Sequence, residues 1–397
     1  MIRKHLFIAA TAAALATPAI AQDAKIGLLF GISGAISAMA PTMVEASRLA
    51  VDQVNAQGGI GNGRKLVPVL GDSGCNPQNA TDAATKAVNL EGVIAMVGPS
   101  CSGAVLAAAN SVTVPAGVTM VSPSATSPQV TKIVDRDQVF RTVPSDAYQG
   151  AALARTLLTR GTKTVAVTYL ANDYGTGLAQ SFKAEFEAKG GTLAAFQQHD
   201  GAKASYRSEL SRLARSGADT LVIFDYGDGT GLTLLRQSLE NGFFKHFVGG
   251  DGMKSEAMIQ AIGAKNLDTL LVSAPVGAGE QSLEIFRKDF SAKGGNPDGI
   301  FATTSYDAAF LLALAIEHAG GDRAKVAASL RAVATAPGEP IQPGEWAKAK
   351  KLIAAGRDID YHGAAGDHEF DAAGDVPGAY ALHRVAGSGF EAIARME

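Results

Sequence analysis

Aromatic residues make up only 6% of this 397-residue sequence, tryptophan occurs once, and there are two cysteines and seven histidines. No histidine lies between His5 and His199, so a nucleophile in the first half has no nearby ring to act as its base. Charge of one sign is also missing. Lys and Arg number 35 against 38 Asp and Glu, a net charge of −3 with no long basic block, which removes the electrostatic footprint of a nucleic-acid binder. Beyond the first residues no run of about 18 apolar residues appears, so no segment there is long enough to span a bilayer.

What is present begins with MIRKHLFIAATAAALATPAIAQ. Arg3 and Lys4 precede an apolar stretch from Leu6 to Leu15, and Ala19-Ile20-Ala21 forms a small-x-small pattern. This is the order of a secretory signal peptide, residues 1–21, cleaved after Ala21, and its apolar run is too short for a membrane anchor. The chain is therefore expected to be exported to the periplasm and not to span the membrane.

Export bears on the cysteines, Cys75 in GDSGCNPQNA and Cys101 in GPSCSGAV. An even count in an oxidising compartment favours a disulfide. Each cysteine follows a strand-like run, KLVPVLGD and VIAMVGP, and neighbouring parallel strands would bring the two together. The alternative is a thiolate activated at a helix start; no histidine motif accompanies it.

Short Val-, Ile- and Leu-rich runs alternate with stretches of helical periodicity, the rhythm of parallel α/β sheets. A first series runs KIGLLF (25–30), a helix over 41–56, KLVPVLGD (65–72), a helix over 77–90 opened by Pro77, VIAMVGP (93–99), a helix from Ser102, and VTMVSP (118–123). A second begins near Ser145 and includes TVAVTYL (164–170), TLAAFQQH (192–199), TLVIFDY (220–226), KHFVGGD (245–251) and DTLLVSAP (268–275). Long helices follow over 282–294 and 305–320, and HEFDAAGDVPGAYALHRV reads as a terminal hairpin with a Gly-rich turn. Abundant glycine, 45 residues, and sparse aromatics suit closely packed helices on a sheet.

Two such series imply an α/β protein of two Rossmann-like lobes with parallel-rich sheets, joined by a multi-strand hinge. The expected division places residues 22–144 with 275–376 in one lobe and residues 145–274 with 377–397 in the other. Ligands of open α/β sheets bind beyond the carboxyl ends of the strands. The segments there, GISGAIS, DSGCNP, GPSCSG, SPSATSP, NDYGTG, YGDGTG and GGDGMK, are rich in Gly, Ser, Thr and Asp.

The succession KIGLLFGISG, VDQVNAQGGIGNGRKL, DSGCNPQNATDAA, VGPSCSG, MVSPSATSP, FRTVPSDAYQG, DYGTGLAQSF and GGDGM resembles the periplasmic leucine/isoleucine/valine-binding proteins, the type I solute-binding components of ABC importers. The resemblance covers nearly the whole chain in order and implies a two-lobed hinge protein that hands a small ligand to a membrane permease; the chain is expected to be monomeric. It places the family's disulfide on Cys75 and Cys101. It assigns the ligand carboxylate to Ser102 and Thr126, with main-chain groups of Ser124 and Ala125, which suits the free N–H groups of a helix start. The ligand ammonium falls to Asp251 and an aromatic lid to Tyr174, with Tyr226 and Asp228 in the neighbouring loop. The bland alternatives are an N-cap for Ser102, a turn for Asp251 and an exposed loop aromatic for Tyr174. Met39 stands where the family often has an aromatic, which leaves the ligand open between a branched-chain or other small apolar amino acid and an aromatic or aliphatic carboxylate or amide without an amine.

Rival chemistries have weaker support. GDGTG (227–231) completes neither a dinucleotide nor a Walker fingerprint and reads as a tight turn. His362, Asp367, His368 and Glu369 match no standard metal spacing and read as a solvated hairpin. No cofactor, metal or catalytic residue is assigned, and an enzyme is disfavoured for want of a nucleophile and base pair. A ligand-sensing subunit of a receptor would use the same fold.

Overall fold

The computed structural model describes residues 22–397 except 202, 278 and 279, so the expected signal peptide lies outside the described residues. The strands in chain order are β1 (Ala24–Phe30), β2 (Leu66–Asp72), β3 (Ala95–Val97), β4 (Thr119–Ser122), β5 (Val139–Arg141), β6 (Thr164–Leu170), β7 (Thr192–His199), β8 (Thr220–Phe224), β9 (His246–Gly249), β10 (Leu270–Val276), β11 (Glu339–Ile341), β12 (Ile359–Gly363), β13 (Gly366–Asp367), β14 (Ala379–Ala386) and β15 (Gly389–Met396). They form two principal sheets, β2-β1-β3-β4-β5 and β15-β14-β10-β9-β8-β6-β7, and a small ribbon β11-β12-β13.

The first sheet is parallel throughout. In the second, β7-β6-β8-β9-β10 are parallel and β14 and β15 add an antiparallel edge. The continuous apolar strands of the sequence follow from this arrangement, since a parallel sheet is covered by helices on both faces. Helix Ala302–His318 is apolar around nearly its whole circumference, with Ala308 to Ile316 all buried. It packs against helices Ala40–Ala56 and Val326–Ala334, as an all-apolar helix must. The fold is thus α/β with two lobes, each built on its own sheet.

Local signals act where expected. Asn76 caps helix Pro77–Thr85 by accepting from Gln78 and Asn79 N–H groups, with Pro77 in the first turn. Gly98, φ +90°, lets the chain turn after β3 beside the first strand; a Cβ there would lie 2.0 Å from the Leu29 carbonyl oxygen. Cys75 and Cys101 are bonded, their Cα atoms 5.3 Å apart, and close a loop between residues separated by 26 positions.

The carboxyl end differs from expectation. The hairpin is β14 with β15 around Gly387 and Ser388, not residues 368–385. The stretch before it is gathered into a turn by Asp371, whose carboxylate accepts from the Ala373 and Asp375 N–H groups at 2.8 and 3.0 Å. A side chain competing this way for backbone donors prevents a ladder. His368 is also not solvated. It is buried 3.6 Å from Asp307, whose carboxylate accepts from Tyr361 Oη and the Ala364 and Ala365 N–H groups. Among the described residues no group of three or more His, Cys, Asp or Glu is placed to hold a metal.

Arg141, at the end of β5, is fully buried. Its Nη1 donates to the carbonyls of Ala125, Thr126 and Ser127 at 3.2, 2.9 and 3.1 Å. Its Nε and Nη2 each donate to Asp375 at 2.6 Å, and Nη2 also reaches Thr131 Oγ1.

Two stability measurements follow from this anatomy. Replacing both cysteines by alanine releases a loop whose closure contributes about 3 to 4 kcal/mol on the chain-entropy model; urea unfolding should show most of that loss, and a change below about 1 kcal/mol would contradict it. Asp375→Asn strips a buried guanidinium of its counter-charge and should cost about 3 to 5 kcal/mol, read as a lower midpoint in guanidinium chloride; an unchanged midpoint would mean that the pair contributes nothing.

Candidate functional site

The loops at the carboxyl ends of both sheets face one another and enclose a cavity. From the first sheet come the hydroxyls of Ser100, Ser102 and Ser124 and the apolar side chains of Ile36, Met39, Met43 and Phe301; from the second come Tyr174, Tyr226, Asp251 and Gly252. Of the residues expected in the site, Ser102, Ser124, Tyr174, Tyr226 and Asp251 line this cavity. Cys101 borders it through its place in the chain, its sulfur being tied to Cys75.

Ala125 and Thr126 are expected there too but stand behind the wall. The Ala125 N–H donates to Ser122 Oγ at 3.1 Å, and the Thr126 hydroxyl donates to Asp146 Oδ2 at 2.9 Å. Their carbonyls are taken by Arg141. Ser102 is not an N-cap: Cys101 occupies that position without a side-chain bond, and Ser102 Oγ accepts from the Ser127 N–H at 3.2 Å. Ser124 Oγ donates to the Ser100 carbonyl at 2.9 Å. The Ser100 hydroxyl is buried, lines the cavity and has no partner among the described residues. Ser100 is not among the residues expected from the sequence, although it sits in the same GPSCSG segment as Ser102, and neither is Phe301, which no motif marks.

The opposite wall is built around Asp251, which follows β9. Asp251 Oδ1 accepts from Tyr174 Oη at 2.6 Å and from the Gly252 N–H at 3.0 Å. Burial pushes its carboxyl up to about 6, and these two donors oppose the rise. Asp146 is buried close by, and burial followed by repulsion from Asp251 holds its carboxyl well above the usual range. Two buried carboxylates facing one region resist joint ionisation, so the wall favours a cation or a proton. Tyr174 and Tyr226 stack with centroids 5.0 Å apart and planes 22° from parallel. Gly252 makes this possible, because a Cβ there would meet Tyr174 Oη at 2.9 Å and the Asp225 carbonyl at 2.7 Å.

The two walls are fastened across the cleft. The Met39 N–H donates to Asp228 Oδ2 at 3.1 Å, and the Ser127 hydroxyl donates to the Asp173 carbonyl at 2.9 Å. In this closed arrangement only ≈ 20 Å³ is open to the centre of a water-sized sphere. A larger guest therefore requires the lobes to part or the Met39 and Met43 side chains to change rotamer, which thioether chains do readily. Asp228 belongs to the GDGTG segment, which is a strand-to-helix turn ending at helix Thr230–Asn241.

Hydroxyls on one wall, a carboxylate under two phenols on the other and an apolar floor can hold a small molecule with separated polar and apolar parts. Among the described residues that line the cavity there is no nucleophile paired with a base. Among the described residues no helix is long and apolar enough to cross a membrane.

A family model described as periplasmic binding protein matches residues 23–375. The leucine-, isoleucine-, valine-, threonine- and alanine-binding protein of Pseudomonas aeruginosa is 32% identical over 83% of this chain and 87% of its own length. The Leu/Ile/Val/Thr-binding protein of Salmonella typhimurium is 27% identical over 83% and 88%. Among solved structures, a leucine-binding protein of Thermotoga maritima superposes with a TM-score of 0.80 at 25% identity, covering 94% of this chain and 98% of that one. A Rhodopseudomonas palustris solute-binding protein in complex with benzoate shares the fold, with a TM-score of 0.77 at 20% identity over 94% and 96%. With the two-lobed α/β fold and the interlobe cavity already described, these likenesses place the chain in the periplasmic binding protein family.

Proposed function

We propose that the protein captures a small apolar amino acid in the interlobe cavity and delivers it, from the periplasm, to the permease of an ABC importer. The observation that carries this reading is the opposition of Ser100, Ser102 and Ser124 to Asp251 across one enclosed space. The Ser100 and Ser102 hydroxyls, whose protons have no acceptor among the described residues, suit a carboxylate, Asp251 suits an ammonium, and Ile36, Met39, Met43 and Phe301 suit an aliphatic side chain. The names of the relatives in Pseudomonas and Salmonella support the same class of ligand.

Delivery would depend on opening. Residues 22–144 with 277–376 would move as one lobe and residues 145–276 with 377–397 as the other, the second boundary lying two residues past the expected one because β10 runs to Val276, with the chain crossing between the two sheets after β5, after β10 and before β14. Ligand bridging both walls would draw an open population toward the closed one. The protein acts by binding alone and as a monomer.

The pH dependence of affinity separates this reading from an amine-free acid. With its carboxyl near 6 in the empty cavity, Asp251 must lose a proton to meet an ammonium. Leucine affinity should therefore weaken as pH falls below about 6, approaching tenfold per unit, in calorimetric titrations. Asp251→Asn should abolish that slope and weaken leucine at pH 7 by at least tenfold. An amine-free acid such as benzoate should bind with no loss between pH 7 and 5. Binding of benzoate and not leucine, or a leucine affinity indifferent to both pH and Asp251→Asn, would overturn the amino-acid assignment. In the empty protein the sign is opposite: a carboxyl raised above its unfolded value costs stability when ionised, so stability falls as pH rises from about 4 through 6.

A further inference from the structure

The cavity is not the whole of the cleft. On the far side of Met39 lies a second chamber, ≈ 220 Å³ by the same measure, between the start of helix Ala40–Ala56 and the segment 254–260, with Gly299 and Ile300 along one edge. Met39 is a wall of both spaces, and Phe301 of the first cavity adjoins Ile300 of the second. Met39 is therefore the residue that separates the two spaces. The sulfur-containing chain of Met39 is a partition that can move.

The second chamber is lined mainly by polar side chains. Asp228, Lys254, Ser255, Glu256 and Gln260 line it. The acidic groups are already supplied with donors: Asp228 accepts from the Ser255 hydroxyl and the Met39 N–H, and Glu256 accepts from Asn296 Nδ2 at 3.2 Å. Lys254 is the exception. Its ammonium donates to the Asp298 carbonyl at 2.9 Å and, among the described residues, has no carboxylate within 4 Å. Lys254 is half-buried, and an ammonium carries three N–H donors, of which one meets a protein acceptor here. Its pKa is lowered accordingly, by burial first.

We propose that the ligand cleft continues past Met39 into this chamber, where Lys254 receives the hydrogen-bond-accepting end, carboxylate or carboxamide, of a linear amino-acid side chain. This rests on the amino-acid reading above and extends its substrate class from compact apolar side chains to longer ones with an apolar stem and a polar tip. The stem would occupy the space beside Met39 and Phe301, and the tip would supply the acceptor that Lys254 lacks.

The test is calorimetric titration of the ligand-stripped full protein with leucine, norleucine, 2-aminoadipate and the ω-amide of 2-aminoadipate. One of the two polar-tipped probes should bind at least tenfold tighter than norleucine, and a preference for the acid over the amide that fades with added salt would identify the carboxylate. Lys254→Met should erase the advantage over norleucine while leaving leucine within twofold, which also shows the variant folded. Lys254→Arg, which keeps the cation, should retain part of the advantage. If leucine binds but norleucine matches or exceeds both polar-tipped probes, or if their advantage survives Lys254→Met, the second chamber takes no part in recognition. If none of the four binds, the amino-acid reading fails and this proposal with it.

Discussion

The arrangement of the cleft depends on one buried guanidinium. Arg141 ends a strand of the first sheet, yet its donors are directed at the loop after β4 and at Asp375, immediately before the chain crosses to β14. Three successive carbonyls in a loop have no ladder to join, and without donors their burial would be costly. Arg141 supplies those donors from one rigid fork. The loop that carries Ser124 is therefore held by the same residue that anchors two of the crossing segments. A change in how the lobes sit is felt at the cavity wall through a planar group that has little freedom to absorb it.

That constraint also explains the division of labour among the polar residues. Because Arg141 and Asp146 occupy Ala125 and Thr126, the loop turns these groups inward and leaves the serines to face the cavity. Thr126 and Asp146 then link the first wall to the second. The N–H of Asp146 donates to the Thr126 carbonyl at 2.8 Å, and its carboxylate lies near enough to Asp251 that each raises the other's cost of ionisation. Asp251 thus lines the cavity with a second buried carboxyl group, Asp146, behind it. A positive charge placed beside Asp251 would lower the cost of ionising both groups.

Much of this was legible in the sequence, and the rest was hidden for identifiable reasons. Strands such as TVAVTYL and KIGLLF announce themselves because burial on both faces demands uninterrupted apolar residues. Pro77 after Asn76 marks a helix start by local chemistry alone. The cysteine pair follows from compartment and strand order. Ser100, by contrast, is distinguished from its neighbours only by a rotamer that leaves its hydroxyl unpartnered, and Phe301 reaches the cavity from a position with φ +61° ahead of a helix nearly three hundred residues from β1. The inward turn of Thr126 depends on Asp146, twenty residues away. The carboxyl-terminal hairpin was misplaced because Asp371 wins its backbone donors from any ladder, a competition that alternation of apolar residues does not reveal.

One buried constellation in the second lobe shows why geometry has to be weighed with access. Thr168 Oγ1 lies 2.7 Å from His199 Nδ1, and His199 Nε2 lies 2.9 Å from Asp225 Oδ2. A hydroxyl, an imidazole and a carboxylate in series are the parts of a nucleophilic triad. Here all three are buried, and Thr168 lies inside β6. The second carboxylate oxygen of Asp225 accepts from the Tyr226 N–H at 2.6 Å and from Thr230 Oγ1 at 3.3 Å. The chain of bonds therefore runs from the sheet to the loop bearing Tyr226, and Tyr226 stacks on the phenol that holds Asp251. The series is a brace: it fixes the aromatic side of the cavity to the rigid strands, as Arg141 fixes the hydroxyl side. Both walls are thereby tied to rigid strands, and the adaptable groups left between them are the thioether side chains of Met39 and Met43.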